Sequence, residues 1–278
     1  MRAQNLTISV PYKGCDKDCP YCISKMTGYV DADESLFFGN MMKVSTLAYS
    51  AQVSSVLITG KGEPLLNPEA CEFIGEAFAE FPIEIQTNGI KMMGRWDKDG
   101  NVIGSKFASV YAFSIDNISQ WKYYAPMMRD IWDKWGIVVR VTLNMTDKIP
   151  ITFTFEDAIS LAHESKVSQL SFRNVMVPEQ HVFTEECLNV MDWIKSHNCA
   201  RSYELIVSDF KKAINDVGQG FIRDLPFGAK IFDIDGIAVT MFDECIQHAN
   251  YSDDIRSLIY QEDGHLYTSW DSPASILF

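Results

Sequence analysis

Residues 5–22 read NLTISVPYKGCDKDCPYC. Leu6 to Val10 is an apolar run of strand length, and Cys15, Cys19 and Cys22 follow it in one loop with the spacing C-x3-C-x2-C. Thiolates are the standard ligands of iron–sulfur clusters, and three of them grip three irons of a four-iron cluster while leaving the fourth iron open. Zinc is the alternative, but a structural zinc site takes four protein ligands. No other Cys or His lies between Val30 and Cys71 to supply the fourth. On spacing alone both metals stay open.

Outward from this loop, strand-length apolar runs recur at Ser55–Thr59, Ile83–Gln86, Ser109–Ile115, Ile137–Leu143 and Gln169–Phe172. Segments of helical composition alternate with them: Val44–Gln52, Pro68–Phe81, Ser119–Trp135, Thr154–Glu164 and Thr184–Ser196. Asn67-Pro68-Glu69 and Thr184-Glu185-Glu186 have the cap followed by proline or acid that opens a helix. Strands alternating with helices imply parallel β-α units. The expected fold is α/β, a partial (β/α)6 TIM-like barrel over residues 1–198. The active-site edge then lies at the C-terminal ends of the strands.

Beyond residue 198 the pattern shifts to short β-like runs, Tyr203–Val207, Lys230–Ile234, Ile237–Met241, Ile255–Tyr260 and His265–Thr268. Asp235-Gly236 and Asp263-Gly264 read as hairpin turns. Residues 199–278 are therefore expected to form a small β-rich extension, or cap. Asp97–Gly104 reads as a surface loop or short hairpin.

The chain has 278 residues, 47% of them hydrophobic, enough for a full core. No apolar run reaches the ~18 residues of a membrane span, and no signal-peptide pattern opens the chain, so a cytoplasmic location is expected. The net charge of −13 disfavours binding to bulk nucleic acid, which needs a basic footprint. Cys71, Cys187, Cys199 and Cys245 are scattered singly and read as small buried hydrophobes.

The expected strand ends carry groups suited to binding. Thr59-Gly60-Lys61-Gly62-Glu63-Pro64 follows the second run, and its glycines let a ligand approach the backbone. Glu63 can accept from an ammonium group. Gln86-Thr87-Asn88-Gly89 follows the third. Ser114 and Asp116 share one side of the fourth strand by alternation, and a hydroxyl beside a carboxylate suits ribose hydroxyls. Asp116 or Asn117 also reads as a helix cap. Arg140, Thr142 and Asn144 share one face of the fifth strand, where an interior arginine needs a charged partner. Arg173 ends the sixth run, and Tyr12 and Trp270 are further residues for the barrel mouth.

With these residues in place, the chain resembles the radical S-adenosylmethionine (SAM) superfamily over roughly Leu6 to Pro178. The carriers are the cysteine triplet, with Tyr21 before its last cysteine, and Gly62-Glu63-Pro64. The resemblance implies one [4Fe-4S] cluster on Cys15, Cys19 and Cys22. It implies SAM bound by Tyr21, Gly62, Glu63, Asn88, Ser114, Asp116, Arg140, Asn144 and the backbone of Val175. It further implies an oxygen-sensitive enzyme that cleaves SAM reductively to a 5′-deoxyadenosyl radical, with a flavodoxin-like or other low-potential electron donor. The expected substrate is a small molecule or nucleotide; a peptide substrate and a non-catalytic metal-binding module are the alternatives. One departure stands out: the family's second motif opens with adjacent glycines, whereas Lys61 separates Gly60 from Gly62. The hairpin after Ile255 resembles the family's extensions that hold auxiliary clusters, but Ser269-Trp270 stands where their cysteine falls, so no auxiliary cluster is expected.

Overall fold

The computed structural model describes residues 2–93, 101–178, 181–198, 201–217, 220–225, 229–242, 255–270 and 273–278. The strands are β1 (Ala3–Ser9), β2 (Val56–Thr59), β3 (Ile83–Thr87), β4 (Ala108–Ile115), β5 (Val138–Met145), β6 (Gln169–Asn174), β7 (Phe221–Asp224), β8 (Lys230–Ile234), β9 (Ile237–Phe242), β10 (Ile255–Tyr260) and β11 (Leu266–Tyr267). The helices are α1 (Ile23–Thr27), α2 (Glu34–Gly39), α3 (Met41–Ser50), α4 (Pro68–Ala77), α5 (Ile118–Trp135), α6 (Phe155–Glu164), α7 (Glu185–Asn198) and α8 (Arg201–Asp216). Strand order is β11-β10-β1-β2-β3-β4-β5-β6-β9-β8-β7, an open sheet with β1 to β6 in sequence, as a partial barrel requires. Among the described residues no helix is long and apolar enough to cross a membrane.

The chain divides into two compact units, and β4 begins in one and ends in the other. The first unit comprises Met1–Asp18, Thr27–Tyr111 and Ser252–Phe278. Here β1 pairs in parallel with β2 and, on its other edge, with β10. The core face follows from alternation: Leu6 and Ile8, Val56 and Ile58, and Ile83 and Ile85 are all buried. Asn67 caps α4, its side chain accepting from the N–H of Ala70, and Pro68 fills the first turn, where no N–H is needed. Cys71 is fully buried, as a lone apolar-environment cysteine should be.

The second unit comprises Cys19–Met26 and Ala112–Tyr251. Thr154 and Asp157 form a reciprocal capping box on α6. Asn117 caps α5, and Gly136 ends it in the left-handed conformation. Strands β5 and β6 pair in parallel, placing Arg140 beside Gln169 and Asn144 beside Arg173. Asp235-Gly236 is the expected turn: φ is 52° and 82° at the two residues, and Ile234 pairs with Ile237 across it.

Two findings concern the stretch after residue 198. Tyr203–Val207, expected as a strand, lies inside α8. Its apolar residues belong to a longer helical repeat, with Tyr203, Ile206, Phe210 and Ile214 buried. Phe210 packs on Phe172 and Phe155 at ring-centre distances of 4.8 and 5.8 Å. The stretch also supplies sheet strands to both units, β9 in parallel with β6 and β10 in parallel with β1. The first half of the Asp97–Gly104 loop, Cys199 and Cys245 lie outside the described residues.

Candidate active site

In the first unit the cysteine loop lies against the Gly-Glu-Pro turn. Beyond β1, the N–H of Val10 donates to Thr59 at 2.8 Å, and the N–H of Glu63 donates to the carbonyl of Gly14 at 3.1 Å. Gly62 sits between them. A Cβ added there would stand 2.1 Å from the Gly14 oxygen and 2.7 Å from the Tyr12 ring, so only glycine fits. Next in the chain, Cys15 is exposed. The Asn88 amide donates to Asp16 at 2.8 Å and approaches the Cys15 sulfur at 3.8 Å, and Lys91 stands 4.0 Å from Asp16.

Glu63 is 5% exposed. It opens a single 3-10 turn, Pro64–Leu66, and accepts from the N–H of Leu65 at 3.2 Å. At the end of β3 it accepts from the Thr87 hydroxyl at 2.7 Å and the N–H of Asn88 at 2.8 Å. Burial raises its pKa, and these three donors pull the other way. Among the described residues no cationic side chain pairs with it, so a buried carboxylate stands ready for a cation. Lys61 points elsewhere, donating to the Thr27 hydroxyl at 2.9 Å.

In the second unit Cys19 and Cys22 are half-buried, and the N–H of Cys22 donates to the carbonyl of Cys19 at 3.2 Å. Tyr21 packs beside Trp193 at 5.6 Å and donates its hydroxyl to the Asp116 carboxylate. Burial drives the Tyr21 pKa upward, and the Asp116 charge adds to it. Asn144 is the hub of this cluster. Its amide donates to Ser114 Oγ at 3.0 Å, to the Ile115 carbonyl at 3.3 Å and to Tyr21 Oη at 3.4 Å. Tyr21, Ser114, Asp116 and Asn144 thus come together.

Arg140 stands apart from that cluster. It lies four residues before Asn144 on β5, roughly 13 Å along a strand, and its Nε donates to Gln169 at 2.7 Å. Val175 is buried with Met26, Cys187, Val190 and Ile194, and its carbonyl accepts from the Asn198 amide. Arg173 is exposed at the end of β6. Among the described residues, no group of three or more His, Cys, Asp or Glu side chains stands in position to hold a metal ion.

Sequence reasoning missed Thr87 as a partner of Glu63, Asn198 as a partner of Val175, and Glu262. Glu262 is 1% exposed and accepts from the Ser9 hydroxyl and from the N–H of Tyr12. The adjoining Asp-Gly turn was its only sequence signal, and that marks a hairpin rather than a buried charge.

No protein-family model matches the chain. Over 109 residues, 38% of its length, it is 35% identical to the GTP 3′,8-cyclase of Clostridium acetobutylicum, of which the match spans 33%. In structure it resembles Streptococcus suis SuiB bound to S-adenosylmethionine, with a TM-score of 0.57 at 14% identity over 97% of the chain and 60% of SuiB. SuiB bound to its precursor peptide SuiA gives a TM-score of 0.53 at 13% identity, over 96% of the chain and 60% of SuiB. The chain therefore spans a third of the cyclase and three fifths of SuiB. Both of these relatives are radical SAM enzymes. Cysteine triplet, Gly-Glu-Pro turn, fold and the stretch shared with the cyclase thus share one likeness, to radical S-adenosylmethionine enzymes.

Proposed function

We propose that this chain is a radical SAM enzyme that acts on a small molecule or nucleotide. The observation that carries the reading is Glu63, a buried carboxylate with its backbone hydrogen-bonded to the cysteine loop and no cationic partner among the described residues. Cys15, Cys19 and Cys22 would hold the cluster. The donors fit in kind and spacing, three thiols within eight residues of chain, although their side chains are not gathered into a metal-holding group among the described residues; the glycine-only contact of Gly62 on Gly14 holds the Gly-Glu-Pro turn directly against the loop. When bound, cluster and SAM together supply reductive cleavage of a sulfonium C–S bond, giving a 5′-deoxyadenosyl radical that takes a hydrogen atom from substrate.

The chain's own part is placement. Glu63 holds an ammonium group by charge, with Thr87, Asn88 and Leu65 fixing the carboxylate's orientation. Ser114, Asp116 and Asn144 offer a hydroxyl, a carboxylate and an amide, a set that suits vicinal ribose hydroxyls. Tyr21 shields this cluster and keeps its proton through the physiological range, because burial and Asp116 raise its pKa. Substrate class is inferred from the cyclase relative, whose name gives a nucleotide as substrate. The electron donor is proposed to be a flavodoxin-like or other low-potential protein.

Anaerobic reconstitution tests the reading. About four irons and four sulfides per chain are expected, with 5′-deoxyadenosine released on adding SAM and dithionite. Cys19→Ala should abolish that release. Zinc in the purified protein with no deoxyadenosine points instead to a binding module.

A further inference from the structure

Assigning Glu63 to an ammonium group leaves a second buried carboxylate without a role. Glu262 follows β10 in the hairpin toward β11 and is 1% exposed. Its Oε1 accepts from the Ser9 hydroxyl at 3.1 Å, and its Oε2 accepts from the N–H of Tyr12 at 3.0 Å. Burial raises the Glu262 pKa; the backbone N–H of Lys61, which also donates to it, and the Lys61 charge oppose that rise in part. The carbonyl of Glu262 is anchored in turn, accepting from the N–H of Asp33 at 2.9 Å.

These contacts make the second of two rungs between the same two loops. Tyr12 and Lys61 meet through the Glu262 carboxylate. Two residues further along each loop, Gly14 and Glu63 meet directly through their backbones at 3.1 Å. Gly62 lies between the rungs, with no room for a Cβ. A carboxylate supplies what a backbone rung cannot, since two N–H groups facing each other need a shared acceptor. The Glu262 side chain therefore links the hairpin of residues 255–267 to Tyr12, 250 positions away in sequence.

We propose that Glu262 is a positioning residue of the SAM site. It sets the spacing between the cysteine loop and the Gly62-Glu63 turn, acting through Tyr12 and Lys61 without touching cofactor or substrate. This rests on the reading of Glu63 as the ammonium ligand. Lys61, which interrupts the glycine pair, is the cationic half of the same clasp.

The test compares full-length wild type with Glu262→Ala, Glu262→Gln and Glu262→Asp. Glu262→Ala should keep its iron and sulfide but weaken SAM binding by calorimetry roughly tenfold, as small displacements of a site do. KM should rise with it, while kcat changes less than about threefold. Glu262→Gln keeps an acceptor and should recover most of the affinity. In the chain before iron is added, amide exchange should quicken in residues 12–15 and 61–63 and stay unchanged in β2 and β3. A merely structural role predicts the reverse, with thermal midpoint, iron content and kcat falling together, KM constant and exchange raised throughout the unit; that outcome overturns the proposal. Wild-type SAM affinity and exchange in Glu262→Ala overturn it too. Should Glu262→Ala not fold, Glu262→Asp decides, since its shorter side chain pulls the shared acceptor back from the two loops: weakened SAM binding with normal iron supports the clasp, and unchanged binding and exchange refute it. If wild type itself neither binds SAM nor forms deoxyadenosine, the SAM reading fails, and amide exchange alone still judges the clasp.

Discussion

The N–H of Glu63 donates to the carbonyl of Gly14, 3.1 Å away, and ties the Gly-Glu-Pro turn to the residue preceding Cys15. Gly62 is the residue that permits this approach. In Gly62→Ala the new methyl would meet the Gly14 oxygen at 2.1 Å, and both partners are backbone, so the loops must part. SAM cleavage should fall at least about a hundredfold, the scale of loss expected when a reacting group shifts by an ångström. Gly60 is the control: a Cβ there meets nothing closer than 3.5 Å. Gly60→Ala should retain deoxyadenosine formation within about threefold of wild type.

The buried Glu63 carboxylate predicts a pH dependence of SAM binding. Burial, only partly offset by its three donors, raises its pKa from the ordinary value. An ammonium group binds the ionised form, so affinity is full above the raised pKa and is lost as pH falls through it. The midpoint should lie above the ~4.3 of an ordinary glutamate. The folding term has the opposite sign. Between the unfolded and the raised folded pKa the native chain holds the extra proton, so this group's contribution to stability is present at low pH and declines as pH rises through that window. Calorimetric SAM titrations between about pH 5 and 8 should show the acid loss in wild type and not in Glu63→Gln, whose affinity should be low throughout.

Asn144 joins Ser114, the Ile115 carbonyl and Tyr21, and Tyr21 in turn holds Asp116. Asn144→Leu keeps much of the volume but removes every donor. The Ile115 carbonyl then loses a buried partner, which costs about 1–3 kcal/mol. Urea denaturation should show that loss, and SAM affinity should fall with it. Tyr21→Phe removes the bond to Asp116 and the long one from Asn144, leaves the Ile115 carbonyl its partner, and should cost less than Asn144→Leu in the same assay.

Legibility in the sequence followed the range of the interactions. The strands from Leu6–Val10 to Gln169–Phe172 could be read because alternation and β-branching are local. Asp235-Gly236 could be read because both residues tolerate positive φ. Helix α8 could not, because Leu205-Ile206-Val207 looks like a strand until the window extends to Phe210 and Ile214. At the site, Cys15, Gly62 and Glu63 carry their chemistry in neighbouring residues. Glu262 does not: its meaning comes from Ser9, Tyr12 and Lys61, which only the pairing of β10 with β1 brings near. Arg140 shows the converse. Its alternation with Asn144 was legible, but a shared face does not mean a shared end of the strand.

Tyr203 offers a test of α8 itself. It is 5% exposed, and its hydroxyl has no hydrogen-bond partner among the described residues. Burial pushes the phenol up to about 12. An unpartnered buried hydroxyl costs about 1–3 kcal/mol of desolvation, so Tyr203→Phe should stabilise the chain at pH 7 by about 1 kcal/mol. The sign at alkaline pH follows from the raised pKa. Between the ordinary value of ~10 and the raised one, the native state keeps a proton that the unfolded chain has lost. Wild type should then lose stability with rising pH by up to about 1.4 kcal/mol per unit from this group alone. Other tyrosines titrate in the same range, so the quantity to read is the difference between the variant and wild type. Urea denaturation at pH 8 and again near pH 11 should show that difference widening in favour of Tyr203→Phe. A difference that stays constant or shrinks would mean that the phenol is solvated and that α8 does not bury this face.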